Sequence, residues 1–367
     1  MATPSPSRSF VGTLTLVFLA IAGISAVDMF LAGMERKESR IEAARLFRQG
    51  QAAIARGDNT EALNRIKDAI AIERGNREYL RTLAQAQLTA GKTTDAEATL
   101  TDLLQADSTD GLASLTMARV MAKEGRFQEA VSYYHRAVYG QWGQDAAANQ
   151  LRARFELIDL LAAHHSKEEL LAELLPIQDQ PPSDVKAQTR LGQLFLQAGS
   201  PPRAAAMFRN VLHDAPGNAD AYDGLGEAEF AQSQYRAAQR DFQTALRLDP
   251  ENQAARKSLD LANELMTLDP TLRGLGQEER YRRSLKLVEM TQDEAGQCAG
   301  ASPQPELKDL LNTAAKALTA HVGAAHQSDA ADANLDLAER LWASRKSCKP
   351  LPAGDTPLAL TMARIAQ

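Results

Sequence analysis

The residues of this chain that could bind a metal or act as nucleophiles are dominated by six histidines and two cysteines. No histidine stands in an H-E-x-x-H pattern, and neither cysteine has a second ligand at the spacing of a zinc site. His164 and His165 are adjacent, but neighbouring side chains on a helix point about 100° apart, which makes joint chelation awkward. G-x-S-x-G, phosphate-loop and G-x-G-x-x-G patterns are also absent from the sequence. We therefore expect no catalytic, metal-binding or cofactor-binding residues and no enzyme activity.

Composition narrows the remaining classes of protein. The formal net charge is −6, and no basic stripe with interleaved aromatic residues is present, which argues against a nucleic-acid partner. Hydrophobic residues make up 44% of the chain and aromatic residues only 5%, and there is no alternating β-branched run. Such a composition predicts an all-helical protein whose helices pack through small side chains.

Glycines recur at a fixed interval, since Gly57, Gly91 and Gly125 are 34 residues apart and Gly199 lies a little over two further periods on. We number each repeating unit so that this glycine stands at place fifteen. Place eight holds only small residues, Gly50, Ala84, Ala118, Gly192 and Gly226. Place twenty holds Ala62, Ala96, Ala130, Ala204 and Ala238, and place twenty-four holds Ile66, Leu100, Tyr134, Phe208 and Phe242. Small residues allow two helices to cross closely in a hairpin, and the large residues fill the space between hairpins.

This 34-residue unit resembles the tetratricopeptide repeat (TPR). The segment that fits best is GQLFLQAGSPPRAAAMFRNVLHDAPGN, residues 192–218, in which Pro216 stands just beyond the end of a helix, as Pro250 does one unit later. Ser233 replaces the turn glycine of the last unit, and residues 145–184 fit only loosely. The resemblance implies an all-α helix-turn-helix solenoid of about six units.

The predicted organisation follows from the limits of these repeats. In order, we expect a tail (1–9), a transmembrane anchor or signal segment (10–34), TPR units 1–3 (43–144), a degenerate unit (145–184), TPR units 5–6 (185–252), a capping helix (253–268) and a C-terminal helical region (277–367). A capping helix is needed because the last hairpin would otherwise expose an apolar face.

The C-terminal region predicts a small bundle of three helices, at about 277–294, 306–322 and 329–346. Cys298 follows the first of these helices and Cys348 the third, so both lie at the same end of an up-down-up bundle. A disulfide between them is geometrically plausible, and two free thiols are the alternative.

The N-terminal segment carries the prediction about location. Residues 10–27 contain no charged side chain, and beyond Asp28 the apolar stretch continues to Met34. Because about twenty apolar residues span a bilayer, we predict a single transmembrane helix within 10–34. A cleaved signal peptide is an alternative, since Arg8 precedes the apolar run. A buried helix of a soluble protein is another, and it would require a partner for Asp28.

Two features of the sequence predict opposite orientations in the membrane. Arg8 alone precedes the span and a cluster of basic residues at 36–48 follows it, so the positive-inside rule places the repeats in the cytoplasm. Bacterial single-span proteins that the chain resembles usually place their repeats outside, and the two cysteines are compatible with an oxidising compartment. We expect a bacterial inner-membrane protein with an extracytoplasmic TPR domain, and the cytoplasmic orientation stays open.

The resemblance also implies a binding surface, because the first helix of each TPR hairpin lines a concave groove. The groove-facing places of the first three units include Phe47, Gln51, Arg81, Gln85, Arg119 and Lys123. Those of the last two units include Lys186, Gln193, Asp220, Asp223, Glu227 and Phe230. We therefore expect a basic, partly apolar half and a mixed half with an acidic end, with Phe47 and Phe230 as apolar anchors.

These predictions together describe a non-enzymatic scaffold tethered to a bacterial membrane, which binds partner peptides or helices in the concave groove and needs no cofactor. Two alternatives remain. One is a structural protein of the envelope that self-associates, and the other is a chaperone-like holdase. Fold alone does not choose among them.

Overall fold

The chain folds as helices in two compact units, as shown by a computed structural model that describes residues 7–179, 181–299, 304–345 and 356–366. Unit 1 is Met1–His164 and unit 2 is His165–Gln367. Within the described ranges there is no strand, only an isolated bridge between Asp110 and Gln141. The prediction of an all-α fold built from helical hairpins is therefore confirmed.

Unit 1 is a stack of helical hairpins. Its helices are α1 (Ser7–Arg56), α2 (Asn59–Ile72), α3 (Arg77–Thr89), α4 (Thr93–Ala106), α5 (Gly111–Lys123), α6 (Phe127–Val138) and α7 (Ala146–Ala163). The C-terminal part of α1 pairs with α2, α3 pairs with α4, and α5 pairs with α6, and each hairpin also packs on the next helix. In the part of the chain that the structure describes, no helix combines the length and the apolar character that a membrane crossing requires.

Unit 2 continues the same pattern and then changes it. Its helices are α8 (Lys167–Gln178), α9 (Val185–Gln197), α10 (Pro201–Asp214), α11 (Ala219–Ala231), α12 (Tyr235–Leu248), α13 (Gln253–Leu268), α14 (Gln277–Ala299), α15 (Pro305–Thr319), α16 (Gln327–Ser344) and α17 (Pro357–Ile365). Hairpins α9–α10 and α11–α12 pack on each other, and α13 packs on α12 over the range predicted for the capping helix.

The hairpin crossings show why the repeat needs small residues at place eight. A Cβ atom added to Gly192 would lie 2.7 Å from the ring of Phe208, and one added to Gly226 would lie 2.7 Å from the ring of Phe242. Phe208 also faces Gly224 of the next hairpin, where an added Cβ would lie 2.2 Å from its ring. The ring of Phe208 therefore fills both the helix crossing inside its own hairpin and the space between this hairpin and the next one, as expected in a close-packed core.

The turns inside the hairpins require a left-handed backbone conformation. Gly57, Gly91, Gly125 and Gly199 have φ between 69° and 78°, which glycine adopts without strain. Ser233 has φ 59° at the equivalent point of the α11–α12 hairpin, and His165 has φ 55° in the turn between α7 and α8. His165 lies 34 residues before Gly199, so counting backwards from that glycine locates the turn of the loosely fitting unit.

The interruption of the period lies between α6 and α7. Residues 139–145 connect these helices, whereas residues 107–110 connect α4 and α5, and α7 has 18 residues against 13 in α5. The longer connection folds back on the start of α5: the Gly111 amide donates to the Gln141 carbonyl at 2.9 Å. The indole of Trp142 occupies the space that a Cβ on Gly111 would fill, at 2.5 Å.

The C-terminal part of unit 2 is a bundle of α14, α15 and α16, close to the three predicted helices, joined by an unpredicted fourth helix, α17. Their core includes Leu287, Val288, Leu341, Leu358 and Met362. α17 also packs on α13 and so links the bundle to the capping helix. The side chain of Cys298 and the whole of Cys348 lie outside the described residues, so the disulfide stays a prediction.

Candidate peptide-binding surface

Phe47 was expected as an apolar anchor in the groove, but its side chain belongs to the core of unit 1. It is 5% exposed, and its ring stacks on that of Tyr79 with the centroids 4.4 Å apart. The reason is that α1 and α3 approach closely enough for the two aromatic rings to cover each other. Phe47 therefore does not offer its ring to a ligand.

Arg81 of α3 forms an ion pair inside the protein. Its Nε donates to the Asp110 carboxylate at 2.7 Å, and its Nη2 lies 2.6 Å from the same oxygen. Asp110 is buried and also caps α5 by accepting from the Ala113 amide at 3.0 Å. A buried carboxylate needs a counter-charge, so Arg81 serves the connection between two hairpins.

Arg119 of α5 is paired in the same way. Its Nε and Nη2 donate to the two carboxylate oxygens of Glu156 on α7, at 2.8 and 2.6 Å, and the Tyr134 hydroxyl donates to Glu156 at 3.3 Å. The hydrogen bond from Arg119 to Glu156 raises the pKa of Arg119. The expected basic half of the groove is therefore largely neutralised by carboxylates of the protein itself.

The other predicted residues of unit 1 remain available to solvent. Gln51 and Lys123 are exposed, and Gln85 is half-buried. Lys123 of α5 reaches back to the preceding hairpin, where its Nζ donates to the carbonyl of Leu88 on α3 at 3.2 Å. This surface offers amides and one tethered cation rather than a strong positive field.

In unit 2, α11 carries three carboxylates on one face, Asp220, Asp223 and Glu227, which we call the acidic strip. Their spacing of three and four residues places them in line along the helix. The Asn252 side-chain amide donates to Asp223 at 2.9 Å. Within the described ranges no ion pair joins any of the three to a cation.

The pKa values of the strip show that its charges are poorly compensated. Desolvation by the surrounding protein raises the pKa of Asp223, the Asn252 hydrogen bond opposes that shift, and the charge of Asp220 adds to it. Desolvation, followed by the charge of Asp223, also raises the pKa of Glu227. A cation placed between these carboxylates would relieve both effects.

The flanks of the acidic strip mix polar and apolar groups. Lys186 and Gln193 of α9 are exposed, and α9 packs directly against α11. Phe230, at the end of α11, is half-buried and lies 5.3 Å from the ring of Tyr235, centroid to centroid. Part of the Phe230 ring is therefore exposed at the end of the helix that carries the carboxylates.

A buried charged cluster beside the acidic strip was missed from the sequence. Glu229 is 6% exposed and stands at place eleven, where the other regular units have Ala53, Gln87, Met121 and Phe195. Arg209 lies 2.9 Å from the Glu229 carboxylate. Burial, and then a hydrogen bond and the charge of Glu229, raise the pKa of Asp241 to about 7. A carboxylate at a core place of the repeat was the signal that could have found this cluster.

Metal ligation is not offered anywhere in the described part of the chain, where no group of three or more histidine, cysteine, aspartate and glutamate side chains is arranged to hold an ion. The ring of His164 instead stacks on Phe127 with the centroids 4.1 Å apart. The fold therefore defines this chain as a helical-repeat protein, and what the described surface offers a ligand is charged and apolar side chains.

Family comparison identifies the repeat. Models of the tetratricopeptide repeat match residues 53–120, 189–235 and 219–252. The chain is therefore a tetratricopeptide repeat protein. None of the curated proteins matches it significantly.

Several solved structures are similar to the chain at low identity. YrrB, described as a TPR protein with an unusual peptide-binding site, is 18% identical with a TM-score of 0.44, and the match covers 53% of this chain and 97% of YrrB. A TPR protein from Parabacteroides merdae is 18% identical with a TM-score of 0.29, covering 60% and 99%. The TPR2AB domain of yeast Sti1, in complex with pHSP90, is 15% identical with a TM-score of 0.31, covering 79% and 98%.

Proposed function

We propose that this chain is a non-enzymatic scaffold that binds a partner protein through a lysine- or arginine-bearing segment lying on the acidic strip of α11. The observation that carries the proposal is the contrast between the units. Arg81 and Arg119 are paired within the protein, whereas the acidic strip has no cationic partner among the described residues. Unpaired charge on the exposed face of a repeat helix favours binding of a segment of opposite charge.

A peptide, rather than a single cation, fits the surroundings of the strip. The carboxylates follow one another along α11, so an extended segment can place successive basic side chains against them. Phe230 provides an apolar contact at one end, and Gln193 provides hydrogen-bonding groups on the neighbouring helix. Charge complementarity would set the encounter rate and register, and the apolar contact would add affinity.

The test is fluorescence anisotropy of the full-length protein with a labelled probe peptide of alternating lysine and leucine. We expect the double variant Asp220→Lys/Asp223→Lys to bind at least tenfold more weakly than the wild type, since each reversal replaces an attraction by a repulsion. Asp68→Lys/Asp102→Lys is the matched control, because both of those carboxylates are exposed and lie in unit 1. Equal losses in the two double variants, or no loss in either, would refute the proposed surface.

We also propose that the N-terminal segment 10–34 tethers the scaffold to a bacterial inner membrane with its repeats outside the cytoplasm. The charge-free run at 10–27 supports this. So does the exposure of large apolar side chains on α1, where Phe18 is 69%, Met29 72% and Phe30 67% exposed. Exposed apolar surface of this kind favours an apolar environment.

Extraction of the protein from membranes by alkaline carbonate would contradict the tether. Activity of a cytoplasm-specific reporter fused at Gln367 would show that the repeats lie in the cytoplasm instead.

A further inference from the structure

Three adjoining cavities run along α12 and α13 in unit 2. Their volumes are about 630, 430 and 510 Å³. The first and second share Arg240, and the second and third share Arg236, Met266 and Leu272. Because neighbouring cavities share lining residues, they adjoin one another, and we call the three together the arginine groove.

The described residues that line this groove include arginines and no carboxylate, although the whole chain has a formal charge of −6. The arginines are Arg236, Arg240, Arg247, Arg273, Arg283 and Arg364. Such a concentration of one sign in a recessed surface focuses the electrostatic potential and attracts anionic groups.

Two of these arginines are fixed by the protein, and four are free to meet a ligand. Arg283 donates to Glu279 at 2.6 Å, and Arg364 lies 2.8 Å from Asp269. Arg236, Arg240, Arg247 and Arg273 are exposed, and none of them forms an ion pair with another described residue. The fixed pair shapes the wall, and the four others carry charges that no described carboxylate pairs with directly.

The base of the groove is apolar. Met266 and Leu272 line two of the cavities, Leu275 lines the middle one, and Leu246 and Leu259 line the first. Each cavity has room for one or two aliphatic side chains, so the groove combines pockets for apolar groups with a cationic rim. Interfaces commonly place apolar anchors in the centre and charges at the edge.

We propose that the arginine groove is a second binding surface, separate from the acidic strip, and that its occupant is an acidic peptide segment carrying aliphatic side chains. Carboxylates of the segment pair with Arg236, Arg240 and Arg273, and its aliphatic side chains enter the cavities. Nucleic acid fits less well, because stacking needs exposed ring faces and the aromatic residue that lines the groove, Tyr235, is buried. A lipid surface fits less well, because its headgroups lie in a plane, whereas the apolar side chains that line the cavities are half-buried and lie below exposed arginines.

The test uses the full-length protein and a labelled probe peptide of alternating glutamate and leucine. We expect Arg236→Glu/Arg273→Glu to weaken binding of this probe at least tenfold, with the loss largest at low salt. Arg152→Glu/Lys308→Glu is the matched control, since both cations are exposed and line none of the three cavities. Leu272→Gln keeps the charge and should weaken binding several-fold if leucine side chains enter the cavities. Circular dichroism melting confirms that each variant is folded.

Further probes separate the alternatives. Asp220→Lys/Asp223→Lys should leave binding of the acidic probe unchanged, so failure of the acidic strip and failure of the arginine groove are distinguishable. Equal binding of the wild type and Arg236→Glu/Arg273→Glu overturns the proposal. So does a polyglutamate probe that binds as well as the leucine-bearing one, because the cavities would then play no part. Tighter and arginine-dependent binding of anionic phospholipid vesicles or of single-stranded polyuridylate would assign the groove to those ligands and also overturn it.

Discussion

The turns of the repeat need a left-handed backbone conformation, and at Ser233 this conformation is adopted by a residue that does not favour it. Its φ of 59° is the left-handed conformation that the glycines Gly57, Gly91, Gly125 and Gly199 occupy elsewhere. Its amide donates to the Phe230 carbonyl at 2.8 Å, as the Gly199 amide donates to Leu196 at 2.9 Å. The fold therefore imposes the same turn on a residue that adopts it at a cost of about 1 kcal/mol.

Ser233→Gly should stabilise the α11–α12 hairpin by about 0.5–1 kcal/mol, because glycine removes the strain of the left-handed conformation. Hydrogen exchange of the amides of α11 and α12 measures this locally. Gly91→Ser is the reciprocal control and should destabilise α3 and α4 by a similar amount. Faster exchange in Ser233→Gly than in the wild type would contradict this prediction. It would show that the serine side chain stabilises the hairpin by more than the backbone strain destabilises it.

Asp241 gives the stability of unit 2 a pH dependence. Its pKa is about 7 in the folded protein, chiefly through burial and then through Glu229, against about 3.9 in an unfolded chain. The folded state therefore binds the proton more tightly, and the contribution of Asp241 to stability is lost as pH rises from about 4 to 7. Arg209 and Arg240 act in the opposite direction by favouring the charged form.

Asp241→Asn should accordingly be more stable than the wild type at pH 8, by about 1–2 kcal/mol, with little difference at pH 4. Denaturation in urea at both pH values, followed by hydrogen exchange of α12, measures the difference. If the difference in free energy of unfolding between wild type and variant is the same at both pH values, the pKa of Asp241 is not raised in the folded protein.

At the scale of elements, the C-terminal helix α17 is joined to the capping helix α13 by a buried ion pair. Asp269, at the end of α13, is completely buried, and its carboxylate lies 2.8 Å from Arg364 of α17. The same carboxylate accepts from the amide and the hydroxyl of Thr271, both at 2.7 Å. Removing Arg364 alone would leave the buried carboxylate without an ion-pair partner among the described residues.

Arg364→Met should therefore destabilise the docking of α17 by about 3 kcal/mol, and Asp269→Asn/Arg364→Met should recover part of that loss. Hydrogen exchange of α17 and the thermal midpoint of the full-length protein measure both effects. If the single and double variants behave alike, the ion pair does not hold α17 in place.

The sequence predicted the hairpins well because their determinants are local and periodic. All five alanines at place twenty are 0% exposed, and the large residues of place twenty-four are buried, as the crossing geometry requires. The connection at 139–145 and the helix α17 were not predicted. Both depend on partners distant in the chain: Trp142 packs on Gly111, and Arg364 pairs with Asp269. Periodicity carries no information about such contacts.

At the scale of the whole molecule, the sequence predicted where the charged residues of the candidate surface lie better than it predicted their partners. The repeat register correctly placed Asp220, Asp223 and Glu227 together on α11. It could not show that Arg81 and Arg119 are neutralised, because their partners Asp110 and Glu156 lie 29 and 37 residues away on other elements. Counting the charges at the groove-facing places of the repeat therefore overestimated the basic character of unit 1. We therefore propose that unit 2 binds the peptide, through carboxylates that form no ion pair with a described cation.

A charge-swap measurement tests this central claim most directly. The affinity of the wild type for a lysine–leucine probe is compared with that of Asp223→Lys for the same probe and for one in which a single lysine is replaced by glutamate. We predict that Asp223→Lys weakens the first complex about tenfold, and that one glutamate position in the second probe restores most of the affinity, since only direct contact allows such compensation. No rescue at any probe position would contradict binding on the acidic strip.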